Sequence, residues 1–150
     1  VRTVRGLLEG KLQARSQDAF MQAGQVLKAA PKIHKEDCRI RWDRSGREIV
    51  NLIRGLSPSP AAFSTLHLET LEGTAPARTL NFKIYRASYV AGAHTLAPGS
   101  LLTDQKDVMK VAVRDCMIHL DSLQQEGKRR MQVVEFLRGF NPPDGPCYFS

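Results

Sequence analysis

The side chains able to do chemistry in this chain are few and scattered. His34, His67, His94 and His119 show neither the H-x-x-x-H nor the H-E-x-x-H spacing that sets two imidazoles on one helix face, so no metal site is expected. Cys38, Cys116 and Cys147 are odd in number, widely spaced and form no C-x-x-C pair. That usage suits a reducing compartment better than a disulfide framework. Acid and base groups occur at Glu36, Asp37, Asp43, His119 and Asp121, but nothing in the sequence brings them to a nucleophile or a cofactor cradle. His119 and Asp121 stand two apart in a strand pattern and so share a sheet face, where a solvated pair is the expectation.

Charge says more. The net charge is +7, and its distribution is uneven: residues 1–55 hold 12 Lys and Arg against 6 Asp and Glu, residues 56–150 hold 10 against 9. An isoelectric point near 9.7 with the excess gathered at the front is the footprint of a polyanion partner. Each cation placed on a phosphate releases condensed counterions, so such clustering favours nucleic acid.

The elements that must position these groups fit one ordinary domain, with or without a tail, since 150 residues are too few for a dinucleotide-binding half plus a separate substrate half. A hydrophobic share of 42% and a charged share of 25% exclude a wholly disordered or collagen-like chain. No run approaches the roughly 18 apolar residues of a membrane span, and the start lacks a signal-peptide pattern, so a soluble, cytoplasmic chain without a membrane partner is expected.

Val1, Val4, Leu7 and Leu8 repeat at helical spacing up to Gly10. So short a helix is marginal without a packing partner, which reads as the end of a larger unit. From Lys11 to about Cys38 the pattern is that of a linker, interrupted by Pro31, with Phe20, Met21, Val26 and Leu27 available to a neighbouring surface. Ser45 and Glu48 form a capping box that starts a helix with Ile49, Val50, Leu52 and Ile53 on its apolar face; Gly55 is placed to turn the chain out, with Pro58 and Pro60 enforcing the exit. Then the period becomes two: Leu66 and Leu68; Leu80, Phe82 and Ile84; Leu101 and Leu102 after Gly99; Met109, Val111 and Val113; Ile118 and Leu120. Turn signals at Glu72-Gly73, Ala91-Gly92, Pro98-Gly99 and Asp104 to Asp107 separate about five short strands. Met131, Val134 and Leu137 mark a last short helix, and residues 141–146 close irregularly. Mainly β with flanking helices, the pattern predicts a small five-stranded OB-like (Greek-key) β-barrel, since closure removes exposed edges; a small sandwich is the alternative.

Several stretches resemble the C-terminal domain of methionyl-tRNA formyltransferase. Ala30-Pro31-Lys32-Ile33-His34-Lys35-Glu36-Asp37 is similar to that family's A-P-K-x-x-K-E-[DE] linker signature, followed by Ile40-Arg41-Trp42 as its I-x-W. Residues 53–61, Ile-Arg-Gly-Leu-Ser-Pro-Ser-Pro-Ala, resemble I-R-A-[LF]-N-P-x-P-x-A, with Gly55, Ser57 and Ser59 as departures. Ala97-Pro98-Gly99, the run Leu123 to Met131 (L-Q-x-x-G-K-[KR]-x-M) and Phe136-Leu137-Arg138-Gly139 follow in the family's order. The resemblance implies a division into residues 1–15, the last helix of a preceding catalytic domain; 16–38, a linker; and 39–150, the barrel domain.

It also implies the role. The family's formyl-folate site, with an Asn/His/Asp set and an S-L-L-P motif, lies in the catalytic domain and is not in this chain. The chain is therefore expected to lack catalytic residues and a cofactor of its own, 10-formyltetrahydrofolate belonging to the parent enzyme. Its implied partners are that N-terminal catalytic domain and the initiator methionyl-tRNA, whose L-shaped inside the barrel and basic linker would hold. The candidate contacts are Lys32, Lys35, Arg39, Arg41, Arg44, Arg47 and Arg54 in or beside the linker and the helix that follows it, with Lys128, Arg129 and Arg130 before the last helix. In an extended segment Arg39 and Arg41 share one face and leave Ile40 to pack. Trp42 is expected to anchor the linker into the barrel with one N–H to satisfy. Since Trp42, Tyr85, Tyr89 and Tyr148 are scattered, contacts are expected to go mainly to phosphates, independent of sequence. The alternatives are the C-terminal domain of a related formyltransferase acting on another amine or on formyl-folate, and a free-standing OB-like nucleic-acid-binding module.

Overall fold

The computed structural model describes residues 2–21, 29–70 and 78–150. Val1, Val26, Leu27 and the Glu72-Gly73 turn signal lie outside the described residues. The chain divides into two compact units, Val1–Lys32 and Ile33–Ser150. The first holds the expected short helix, α1 (Arg2–Leu8), with Val4, Leu7 and Leu8 on its surface. Glu9 accepts from Arg5 at 2.8 Å and from Lys11 at 2.7 Å. A 3-10 turn at Gln17–Phe20 is capped by the Ser16 hydroxyl.

The second unit is a nearly closed β-barrel. Its strands are β1 (Ala62–Leu68), β2 (Arg78–Ala91), β3 (Leu101–Thr103), β4 (Met109–Ala112), β5 (Cys116–Gln125), β6 (Met131–Gln132) and β7 (Cys147–Phe149), with helices α2 (Gly46–Leu56) and α3 (Val133–Leu137). The five strands read from the sequence are all present, and two short ones are added. Neither β6 nor β7 is long enough to show a period, and pairing with β5 and β1 respectively creates them. The sheet runs β3-β4-β5-β2-β1-β7, every pair antiparallel, with β6 beside β5. β2 pairs with β1 over its first half and with β5 over its second, and the register shifts between Ile84 and Ala87. Such a bulge bends a long strand and lets it serve both sides of a barrel.

Gly99 closes the circle. Its N–H donates to the Ala112 carbonyl at 2.8 Å and its own carbonyl accepts from Phe149 N–H at 2.9 Å, so the chain before β3 joins β4 to β7. A Cβ there would collide with the Phe149 carbonyl, and φ is 91°, two reasons for glycine in the Ala97-Pro98-Gly99 motif. The turn at Asp104 to Asp107 is also as expected: one Asp104 carboxylate oxygen accepts from the N–H groups of Lys106, Asp107 and Val108 at 2.9–3.0 Å.

Two readings are corrected. Gly55 lies inside α2, which runs to Leu56; the exit is made by Ser57 in extended conformation, two cis X-Pro bonds before Pro58 and Pro60, and Ala61 at φ 71°. Met131 belongs to β6, and the last helix starts two residues later. The Ala91-Gly92 turn signal is as read, since β2 stops at Ala91.

The core lies inside the barrel. Phe82 sits between Phe136 (5.2 Å, edge to face) and Phe149 (6.0 Å), and Trp42 packs on Phe149 at 5.4 Å. Ile40, Ile49, Ile53, Leu66, Ile84, Ile118, Leu120 and Leu123 fill the rest. Each such side chain contributes about 1.5–3 kcal/mol on burial, so this packing, rather than the short terminal ladders, holds the unit together.

Candidate nucleic-acid interface

The basic residues are placed by the segment leading into the barrel. A 3-10 turn at Glu36–Cys38 buries Cys38 and is held by Asp37, whose carboxylate accepts from the His34 N–H at 2.7 Å. Arg39 bridges to Phe63 in parallel, with the Ile40 N–H on the Phe63 carbonyl at 2.9 Å. The extended backbone alternates as expected: Ile40 (1% exposed) and Trp42 (4%) enter the core, while Arg39 and Arg41 stay outside. Trp42 does anchor the segment, its Nε1–H donating at 2.9 Å to Ser64 Oγ, which donates in turn to the Ser150 backbone oxygen.

At Ser45 the capping box forms as read. Glu48 N–H donates to Ser45 Oγ, and the Glu48 carboxylate accepts from the Ser45 hydroxyl and N–H. Those bonds, the hydroxyl's first, hold the Glu48 carboxyl below the ordinary range. Asp115 reaches the same helix start from the β4–β5 turn and accepts from Gly46 N–H at 2.8 Å, which holds its carboxyl low as well. α2 buries Gly46, Ile49, Ile53 and Leu56 and presents Arg47 and Arg54 to solvent.

Two depressions result. One, of about 420 Å³, brings Arg39, Arg41 and Arg44 together with Glu36, Asp37 and Glu48. The acids there are partly committed, Asp37 to His34 N–H and Glu48 to the capping box and to Arg44 at 3.6 Å. Among the described residues Arg39 and Arg41 form no ion pair. The other is a groove of about 710 Å³ on the outer face of β1, β2 and β5, with Lys35 and Cys38 on one wall and Gly127 on the opposite one. Beyond Gly127 comes the β5–β6 turn. Its backbone is fixed by Gln124, which accepts from the Tyr85 hydroxyl at 2.6 Å and donates to the Lys128 carbonyl at 2.8 Å. Arg130 lies over the Tyr85 ring at 4.4 Å and donates to Ser122 at 3.0 Å; Arg129 pairs with Glu135 at 3.3 Å; Lys128 forms no ion pair among the described residues.

The ten candidates therefore fall into separate groups. Arg39, Arg41 and Arg44 share one depression, Lys35 lines the groove, Lys128 to Arg130 form the turn past its far wall, and Arg47 and Arg54 ride on α2, Arg54 donating to Asn51 at 3.1 Å. Lys32 is exposed and belongs to the first unit. Sequence reasoning missed Lys83, which lines the groove. Its signal was available in the alternation of β2, where Phe82 and Ile84 face in and Asn81 and Lys83 face out.

Among the described residues of the unit little else could do covalent chemistry. His119 and Asp121 share a face, 3.3 Å apart, with Arg86 3.8 Å from the same carboxylate. Burial pushes the Cys116 and Cys147 thiols up, so at neutral pH they are protonated and poor nucleophiles. Among the described residues no group of His, Cys, Asp and Glu is placed to hold a metal ion, and no helix is long and apolar enough to cross a membrane.

Comparison with known proteins gives one consistent result. The family model described as formyl transferase, C-terminal domain, matches residues 32–141. The chain is 43% identical over 141 residues to a methionyl-tRNA formyltransferase of Bacteroides fragilis, covering 94% of this chain and 41% of that protein. It is 41% identical over 138 residues to the enzyme of that name from Parabacteroides distasonis, covering 92% and 41%. For Flavobacterium johnsoniae the identity is 44% over 118 residues, covering 79% and 35%. The chain thus spans about two fifths of the length of these relatives.

Proposed function

The chain belongs to the formyl transferase C-terminal domain family, and from that premise we propose that it is the RNA-holding part of a methionyl-tRNA formyltransferase. In this reading the parent enzyme, working in the cytoplasm, transfers a formyl group from 10-formyltetrahydrofolate to the amino group of methionyl initiator tRNA. Residues 1–15 end the preceding catalytic domain, 16–38 link, and 39–150 hold the tRNA. The observation that carries it is the outward pair Arg39 and Arg41, cations that form no ion pair among the described residues, on a strip pinned by the buried Ile40 and Trp42. On a fixed backbone, binding a phosphate ribbon leaves only the arginine side chains to be ordered.

We assign the folate to the remainder of the parent enzyme. In the larger groove Thr65 donates to Asn81 at 2.9 Å and Asn81 donates to Glu126 at 2.8 Å, so the polar groups there are partly engaged with one another. What this part supplies is affinity and placement: holding the tRNA body raises the effective concentration of its aminoacylated end at the reacting centre.

The test is a fluorescence anisotropy titration of initiator tRNA with the chain at several salt concentrations. The expected result is binding whose log K falls linearly with log salt, by about 0.9 for each duplex phosphate neutralised. Absence of binding, or affinity insensitive to salt, refutes the proposal.

A further inference from the structure

We propose that the groove over β1, β2 and β5 seats one unpaired nucleotide of the bound RNA, its base stacked on Phe63 and its phosphate between Lys35 and Lys83. The inference rests on the RNA-binding reading above and goes beyond the phosphate contacts expected from the sequence. At about 710 Å³ the groove has the size of a small-molecule site. Phe63 is half buried, packs against the core and lines the groove. Its backbone is held from both sides, by the bridge to Arg39 and by pairing with Lys83 in β2.

The charges around that ring suit an anion carrying a flat apolar face. Among the described residues Lys35 and Lys83 form no ion pair. The Lys35 ammonium lies 5.9 Å from the Phe63 centroid, at the outer limit of a cation–π contact, so it is held there weakly and is free to swing to a phosphate. The carboxylate in the groove, Glu126, accepts from the Asn81 amide and keeps its charge, one anion against the two ammonium groups. Because Thr65, Asn81 and Glu126 bond one another, much of the groove's capacity to read base edges is taken up, which leaves stacking as its main offer. Such a site accepts any base.

The experiment compares the chain's binding to a labelled single strand of roughly ten nucleotides with its binding to a blunt RNA duplex. One base of the strand is 2-aminopurine, whose fluorescence is quenched on stacking. The expected results are quenching on binding, and a loss of about tenfold in single-strand affinity for Phe63→Leu with duplex affinity unchanged and Phe63→Trp restoring it. Lys83→Gln, an exposed change that leaves the core intact, should weaken the same strand, which keeps the test open if Phe63→Leu fails to fold. No quenching, equal effects on strand and duplex, or equal competition by polyglutamate overturns the groove assignment. If duplex and tRNA still bind with steep salt dependence, only this inference has failed; if no RNA binds at all, the underlying function has failed with it.

Discussion

Gly46 opens α2 with its N–H on Asp115, and its Cα has almost no room. A methyl added there would collide with Cys116 Sγ and lie 3.2 Å from Tyr89 Cβ and 3.3 Å from Ile118 Cδ1. Cys116 is 5% exposed and Ile118 fully buried, so neither can retreat into solvent. Overpacking of this kind costs about 1–3 kcal/mol, against a helix-propensity gain of at most about 1 kcal/mol for Gly→Ala. The net expectation for Gly46→Ala is a loss of about 1–2 kcal/mol, which in a domain of this size lowers Tm by about 2–8 °C. Cys116→Ala removes the obstructing sulfur and by itself costs stability through the space it leaves. In the double variant the new methyl occupies part of that space, so the two losses should fall short of their sum by about 1 kcal/mol or more. Urea denaturation of the four proteins, followed by far-UV circular dichroism, measures the coupling. Additivity within about 0.5 kcal/mol, or a raised midpoint for Gly46→Ala, would refute the reasoning.

Replacing Arg39 and Arg41 together by Gln removes two cations that form no ion pair among the described residues, so the salt slope of tRNA binding should shrink by about 0.9 for each phosphate no longer neutralised. Arg129→Gln removes a cation already paired with Glu135 and should change the slope less; an unaltered slope in the double variant contradicts the assignment. Folding holds the Asp115 and Glu48 carboxyls below their unfolded values, so their contribution to stability is complete above about pH 5 and is lost as pH falls below about 4 through the folded values. Acid titration of thermal stability should therefore show a shallower limb for Asp115→Asn than for the unaltered chain, and identical limbs would show that Asp115 has no part in the acid response. Ser64→Ala leaves the buried Trp42 N–H without its acceptor and should cost about 1–3 kcal/mol, read as a fall in the urea midpoint followed by tryptophan fluorescence.

Much of this architecture was legible because local rules sufficed. The Ser45–Glu48 box, the Asp104 turn, the alternation from Arg39 to Trp42 and the five principal strands all depend on near neighbours or on a simple period. The corrections have the opposite character. β6 and β7 are strands because partners exist for them, and Gly55 could not be told from a helix terminator without knowing that Leu56 would be buried. At the candidate interface, the sequence identified basic residues but missed Lys83, which β1–β2 pairing sets beside Phe63 on one groove, and it read Tyr85 as one of the scattered aromatics, where the fold sets it under Arg130.

By itself the sequence determined the charge excess of the first 55 residues, the β pattern of the rest and the likeness of residues 32–141 to the formyl transferase C-terminal domain. Only the tertiary structure decided that Arg130 is engaged by the Tyr85 ring and that Lys35, Phe63 and Lys83 line one groove. The reason is distance: charge type, periodicity and pairs such as Arg44–Glu48 are local properties of a chain, whereas a groove depends on groups brought together from segments far apart in sequence.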